Sequence, residues 1–287
     1  MRIAVVLKAL KHRRAKAVRL SIVVPAYNEE ARLPETLRKT VNWCEAHDLE
    51  FEVIVVDDGS RDGTVALVRL FEETDERIRV LACAHMGKGA AVRTGVLDAK
   101  GHFVLFMDAD GATPLSEILK LIAGIEEGYD VAIGSRVDRR DGEAEVETPL
   151  HRRIISRTFA FFTGLVDLGG IADTQCGFKM FRREVAMAIF SRQKTVGFAF
   201  DVEILFIARR LSLSIVEVPV NWVAQPGSKV NLITDSFRML WDICRISWLH
   251  RNFQPYRSDG VSWSDASEQD VRTMQGDQSL SAPSRER

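Results

Sequence analysis

The sequence predicts an α/β protein: a mostly parallel central sheet flanked by helices, followed by C-terminal amphipathic helices and a disordered tail. Three observations predict it. Strand-like apolar runs alternate with helix-like segments five times in succession. The runs are continuous, as strands buried on both faces of a parallel sheet require. Several end in acidic or glycine-bearing turns, at the edge where open α/β sheets keep their ligands.

The first strand is 20–25, Leu-Ser-Ile-Val-Val-Pro. A loop over 26–30 follows, with Asn28 as a helix N-cap, and a helix runs to about His47. Leu33, Leu37, Val41 and Cys44 share one face of it at helical spacing. The second strand, 51–56, runs into Asp57-Asp58-Gly59-Ser60. A helix over 64–73 leads to a third strand at 78–82, and a helix over 87–99 to a fourth at 103–107. That strand runs into Asp108-Ala109-Asp110. A helix over 115–127 leads to a fifth strand at 130–133, ending at Gly134-Ser135-Arg136. Residues 136–148 are charged and read as a mobile loop. Residues 150–168 read as a helix, basic at its start and aromatic further on. Residues 173–181 form another strand or turn, 200–210 a helix, 215–222 a strand and 231–249 a helix. From about Gln254 the chain is mostly Ser, Asp, Gln, Arg and Gly, a composition that does not build a core. The expected organisation is a basic segment over 1–19, one domain over 20–253 and a disordered tail over 254–287.

The 287 residues suffice for a full core, and 46% hydrophobic with 28% charged residues is ordinary for a globular chain. A net charge of −1 gives no global signature of nucleic-acid binding. The first nineteen residues, however, carry Arg2, Lys8, Lys11, Arg13, Arg14, Lys16 and Arg19 and no acid. Such a cluster is either a solvated leader or an attraction for an anionic surface. Cys44, Cys83, Cys176 and Cys244 are far apart, so neither a zinc site nor a disulfide framework is expected and a reducing cytoplasm fits. The apolar run at 3–7 is too short for a signal peptide, and no uncharged run is long enough to span a membrane.

Asp108 and Asp110 follow a buried strand one residue apart. Both can reach one hard cation, and Mg²⁺ held by one or two carboxylates plus substrate phosphates is usual in nucleotide sites. The alternative is a polar strand end. Asp57 and Asp58 are either ligands at the sheet edge or turn chemistry. Gly87-Lys88-Gly89-Ala90-Ala91-Val92 opens a helix but completes neither phosphate fingerprint: a dinucleotide site wants Gly or Ala where Val92 stands, and a P-loop wants Ser or Thr where Gly89 stands. No His-Glu-x-x-His and no Gly-x-Ser-x-Gly elbow occurs.

Taken in order, Val24-Pro-Ala-Tyr-Asn-Glu-Glu30, Val55-Val-Asp-Asp-Gly-Ser60, Gly87-Lys-Gly-Ala-Ala-Val-Arg93, Asp108-Ala-Asp110 and Gly134-Ser-Arg136 resemble the family 2 glycosyltransferases of the GT-A fold. Asp173-Thr-Gln-Cys-Gly-Phe-Lys179, Phe200-Asp-Val-Glu203 and Gly227-Ser-Lys229 are similar to the dolichyl-phosphate glucosyltransferase branch, close to the polyprenyl-phosphate mannose synthases. The resemblance covers about residues 20–250. It implies a GT-A, Rossmann-like fold and a metal-dependent, inverting hexosyltransferase using Mg²⁺ or Mn²⁺. It implies that Pro25, Tyr27, Glu29, Asp57 and Asp58 hold base and ribose, with Lys88 near the base. Asp108 and Asp110 would bind the diphosphate through the metal. Arg136, Arg153, Arg157 and Lys229 would contact phosphates of donor or acceptor. Asp110, Asp201, Arg136 and Lys229 are the expected catalytic group.

The mannose synthases carry a metal-binding Gln where this chain has Ala112, and an Arg absent from Asn221-Trp-Val-Ala-Gln225. Both departures favour UDP-glucose over GDP-mannose, which stays as the alternative beside a non-lipid glycan acceptor. The Gln-x-x-Arg-Trp of processive synthases is absent. Asp201 and Glu203 are either bases for an alcohol acceptor, orienting partners of basic residues, or carboxylates favoured at a helix start. A polyprenyl-phosphate acceptor demands a membrane surface, and the amphipathic 150–168 and 231–253 segments fit peripheral helices at its cytoplasmic side or helices packed on the sheet.

Overall fold

The computed structural model describes residues 19–136, 168–223, 241 and 245–253. Residues 1–18 of the basic segment, the loop from 137, all but the last residue of the helix expected over 150–168, most of that expected over 231–249, the tail, and Arg153, Arg157 and Lys229 lie outside them.

Among the described residues the centre is one seven-stranded sheet, its strands numbered in chain order. Strand β1 (Arg19–Ala26) pairs in parallel with β2 (Glu50–Asp57) and β4 (Phe103–Met107). Strand β3 (Ile78–Ala82) extends the sheet in parallel beyond β2. Ile22, Val23 and Val24 of β1 and Val53, Ile54, Val55 and Val56 of β2 are all fully buried. Their consecutive burial is why these runs show no polar alternation: both faces of the sheet are covered.

Helices fill the crossovers: α1 (Leu33–Ala46), α2 (Thr64–Thr74), α3 (Lys88–Asp98) and α4 (Ile118–Glu126), the last preceded by a 3₁₀ turn at Leu115–Glu117. Leu33, Leu37 and Cys44 of α1 are buried as their spacing predicts, and Val41 packs against them at the margin.

The second half departs from simple alternation. Strand β5 (Val131–Ser135) does not lie beside β4. Strand β6 (Phe178–Arg182) inserts between them, antiparallel to both, and β7 (Ile215–Pro219) closes the sheet parallel to β5. Because β6 runs backwards, its first residue, Phe178, pairs with Met107, the last of β4. The residues leading into β6 therefore arrive at the carboxyl end of β4.

Helices α5 (Arg183–Phe190) and α6 (Phe200–Arg210) pack behind this region. Phe106, Phe181, Phe190 and Phe200 form one aromatic cluster, with ring centroids 5.5–6.5 Å apart in the contacting pairs. Each is buried, contributing about 1.5–3 kcal/mol of hydrophobic transfer free energy. Among the described residues no helix is long and apolar enough to cross a membrane.

Candidate functional site

The carboxyl ends of β1, β2 and β4 meet at one edge, and the residues there divide into two halves. In the first, Ala26 sits beside Asp57 in the β1–β2 register. Asp57 Oδ2 accepts the N–H groups of Gly59 and Ser60 at 3.1 and 3.0 Å, closing the turn that follows the strand. Its Oδ1 is buried and has no hydrogen-bond partner among the described residues. An unsatisfied buried acceptor costs about 1–3 kcal/mol, a cost that a donor brought to this oxygen would offset. The 26–30 loop is fastened to this turn: Asn28 N–H donates to Ser60 Oγ at 2.8 Å, Arg61 N–H to Asn28 Oδ1 at 2.7 Å and Glu29 N–H to Thr64 Oγ1 at 2.8 Å.

Asp58 has a different occupation. Its carboxylate accepts the N–H of Met86 at 2.8 Å and of Gly87 at 3.0 Å, and lies 2.9 Å from His85 Nδ1. Asp58 thus shapes the 85–87 turn. Gly87 takes φ +114° there, a conformation that a side chain opposes. The turn presents His85 flat against Tyr27, with centroids 4.4 Å apart and planes 21° apart. Pro25 is a half-buried residue of β1 opposite Val56. Glu29 forks onto Arg32 at 2.6 and 2.7 Å, a hydrogen-bonded pairing that raises the Arg32 pKa and brings this guanidinium under the field of Asp110 and Asp108.

The second half follows β4. Asp108 N–H donates to the Gly177 carbonyl at 3.1 Å, and its Oδ1 lies 2.6 Å from Lys88 Nζ. Lys88 begins α3, and its ammonium reaches the Asp108 carboxylate after β4. Burial works against that charge, but Asp108, Asp201 and Asp110 raise the Lys88 pKa. Asp110 accepts the Ala112 N–H at 3.0 Å. Burial first, and then the like charge of Asp108, push its carboxyl above the usual range.

No group of three or more His, Cys, Asp or Glu side chains converges among the described residues. Two carboxylates alone do not cage a divalent ion. They suit a hard cation that completes its shell with water and phosphate oxygens, and such a cation would relieve the Asp108 repulsion that adds to burial in raising Asp110.

Further along the edge, Arg136 at the end of β5 forks onto Asp173, Nε to Oδ2 at 2.7 Å and Nη2 to Oδ1 at 2.9 Å, with its N–H on the same carboxylate at 2.9 Å. Burial opposes the charge on each partner, yet their pairing drives the Arg136 pKa up and the Asp173 pKa down. Trp222 faces this guanidinium, 5.6 Å from ring centre to Cζ. Asp201 is 3% exposed and ion-paired with the fully buried Lys179. Glu203, fully buried, accepts the N–H groups of Lys194 and Thr195 at 2.9 and 2.7 Å and lies 2.6 Å from His250 Nε2.

The structure therefore gathers Asp57, Tyr27, Lys88, Asp108 and Asp110 at one sheet edge, sets Arg136 beside it on Asp173, and puts Asp201 and Glu203 behind it. Sequence reasoning gave no site role to His85, Arg32, Asp173, Gly177 or Lys179. One signal was present: Lys179 is a lone charge in the apolar run Phe178-Lys-Met-Phe181.

Residues 21–190 match the family described as Glycosyl transferase family 2. The chain is 39% identical over 239 residues to a dolichyl-phosphate beta-glucosyltransferase of Dictyostelium discoideum, covering 79% of this chain and 73% of that one. It is 41% identical over 225 residues to the Mus musculus protein of the same name, covering 74% and 69%. Among solved structures, it superposes with TM-score 0.60 on glucosyl-3-phosphoglycerate synthase from Mycobacterium tuberculosis in complex with Mn²⁺, UDP and glucosyl-3-phosphoglycerate, at 20% identity over 83% of this chain and 81% of that one. The shared fold is GT-A.

Proposed function

Because the chain belongs to glycosyl transferase family 2, we propose that it transfers glucose from UDP-glucose to a dolichyl or related polyprenyl phosphate, inverting the anomeric centre. The observation that carries this reading is the sheet edge where the acidic pair Asp108 and Asp110, with Lys88 on it, adjoins the open acceptor oxygen of Asp57. The names of the relatives that share 39–41% of its residues supply the sugar and the lipid.

In this reading Asp57 Oδ1 takes a donor hydrogen from the nucleoside, Tyr27 offers a flat apolar wall, and Pro25, Glu29 and Asp58 shape the loops around it. Asp108 and Asp110 hold Mg²⁺ or Mn²⁺ together with the donor diphosphate. When bound, that ion neutralises charge on the leaving group. Lys88 adds a fixed positive charge at the same place. Arg136, Arg153, Arg157 and Lys229 serve the phosphates of donor and acceptor.

The acceptor's second phosphate pKa, about 6, leaves its oxygen ionised at neutral pH. That oxygen attacks the anomeric carbon from the side opposite UDP; the new C–O bond forms as the bond to the diphosphate breaks, so an α-linked donor gives a β-linked product. No side chain has to take a proton. This agrees with Asp201 and Glu203 being committed to Lys179 and to the 194–195 backbone and His250.

A lipid acceptor calls for peripheral membrane contact. Trp241 and Trp248 are 68% and 58% exposed, and Arg251 lies over the Trp248 ring at 4.6 Å, a pairing suited to a headgroup boundary. The basic residues of 1–19 add attraction to anionic lipid at the cytoplasmic face.

The test incubates the full chain in detergent with dolichyl phosphate and radiolabelled nucleotide sugars, with Mn²⁺, with Mg²⁺ and with EDTA. Label from UDP-glucose is expected in the organic phase, and only with a divalent ion. Absence of organic-soluble label with every donor, or label from GDP-mannose alone, overturns the reading.

A further inference from the structure

Lys179 is in an unusual place for a charge. It is the second residue of β6, fully buried, with its Nζ 5.3 Å from the centre of the Phe106 ring. Burying an ammonium costs several kcal/mol unless partners compensate it. Among the described residues the Lys179 ammonium has two hydrogen-bond partners. One is the carboxylate of Asp201, supplied by α6. The other is the backbone carbonyl of Cys176, 2.7 Å away.

The second contact leads to the sheet edge. Cys176 precedes Gly177, whose carbonyl accepts the Asp108 N–H. The Gly177 Cα lies so close to the Asp108 side chain that an added Cβ would sit 2.2 Å from Oδ2 and 2.6 Å from Oδ1. The turn thus forms one wall of the slot that the Asp108 carboxylate occupies, and Lys88 forms another.

We infer that Lys179, with Asp201 as its counter-ion, is a positioning residue for Asp108. Its ammonium ties down the carbonyl of Cys176, which fixes the turn that sets where the Asp108 carboxylate points. The inference rests on the reading of Asp108 as a cation ligand. It gives Asp201 a role without proton transfer, and it explains a charge pair at a site where apolar side chains alone would pack as stably.

Lys179→Met alone leaves Asp201 buried without a partner and is expected to lose stability. The informative variant is Lys179→Met with Asp201→Asn, which removes both charges with little change of volume. Mn²⁺ binding to the UDP complex is followed by electron paramagnetic resonance, UDP binding by calorimetry in EDTA, and folding by thermal melts. Mn²⁺ affinity is expected to fall about tenfold or more, with metal-free UDP affinity and the melting midpoint near those of the parent. Unchanged Mn²⁺ affinity, or equal losses of Mn²⁺ and metal-free UDP affinity, overturns the inference while leaving the reading of Asp108 intact. A parent chain that binds no Mn²⁺ with UDP overturns both.

Asp201→Asn alone is a milder probe that keeps an acceptor for Lys179. Its turnover is expected to fall several-fold at limiting Mn²⁺ and to recover as Mn²⁺ is raised. A loss of a hundredfold or more that added metal does not repair, with Mn²⁺ affinity unchanged, makes Asp201 a general base and overturns the assignment.

Discussion

Gly177→Ala tests the Asp108 slot with the smallest change available. The backbone at Gly177 is not among the positive-φ positions, so alanine meets no conformational penalty there. What it meets is the Asp108 carboxylate, with Oδ2, Cγ and Oδ1 at 2.2, 2.5 and 2.6 Å from the new methyl. Restoring ordinary contact requires the carboxylate to move by about 1 Å. Asp108 is 41% exposed at its side chain, so it can swing away without disturbing the core. The move breaks its 2.6 Å pairing with Lys88 and displaces it from any cation it shares with Asp110. A displacement of about 1 Å at a positioning group costs on the order of a hundredfold in rate, or about 2.7 kcal/mol of transition-state stabilisation. The expected result is a turnover drop of that order, a higher Mn²⁺ requirement and a melting midpoint within a few degrees of the parent. Initial rates across a Mn²⁺ series with UDP-glucose and dolichyl phosphate measure it. Turnover within twofold of the parent at every Mn²⁺ concentration would refute the reasoning.

Three further outcomes are expected. Asp110→Ala removes one of the two carboxylates and should abolish metal-stimulated turnover; full metal-dependent activity in this variant would remove Asp110 from the cation site. Asp57→Ala deletes the unpartnered acceptor and should weaken UDP binding in EDTA by about 1–3 kcal/mol, with Mn²⁺ affinity of the remaining complex little changed; equal UDP affinity in a calorimetric titration rejects the role. Glu203 and Asp173 are held below their ordinary carboxylate values despite burial, the first by hydrogen bonds from His250, Thr195 and Lys194 and the second by Arg136. Depressed carboxyls contribute stability that is complete above their unfolded values and is lost as pH falls through the folded ones. Urea midpoints should therefore fall below about pH 4.5, and Glu203→Gln should be less stable at neutral pH with a flatter acid limb; a parallel curve would reject the assignment.

Much of the fold was legible because it depends on local pattern. Strands β1, β2, β4 and β5 announce themselves as apolar runs since a sheet covered on both faces leaves no polar alternation. Helix α1 shows its buried face at helical spacing in Leu33, Leu37 and Cys44. The acidic turns after β2 and β4 sit where parallel strands end, so Asp57, Asp108 and Asp110 could be placed at one edge before any coordinate.

The sequence alone thus determined the fold class, the family resemblance and the acidic ends of two strands, because strand burial and turn chemistry are written in neighbouring residues. It ranked Asp57 and Asp58 together; only the tertiary structure separated an aspartate with an open oxygen from one spent on the 85–87 turn. Only the tertiary structure showed that the first turn of α3 pairs Lys88 with Asp108. Above all, the sequence could not insert β6 between β4 and β5. That choice is made by pairing between Met107 and Phe178, 71 positions apart in the chain and adjacent in the sheet. An antiparallel strand there brings Gly177 to Asp108 and Lys179 to Asp201, contacts between residues that no local pattern relates.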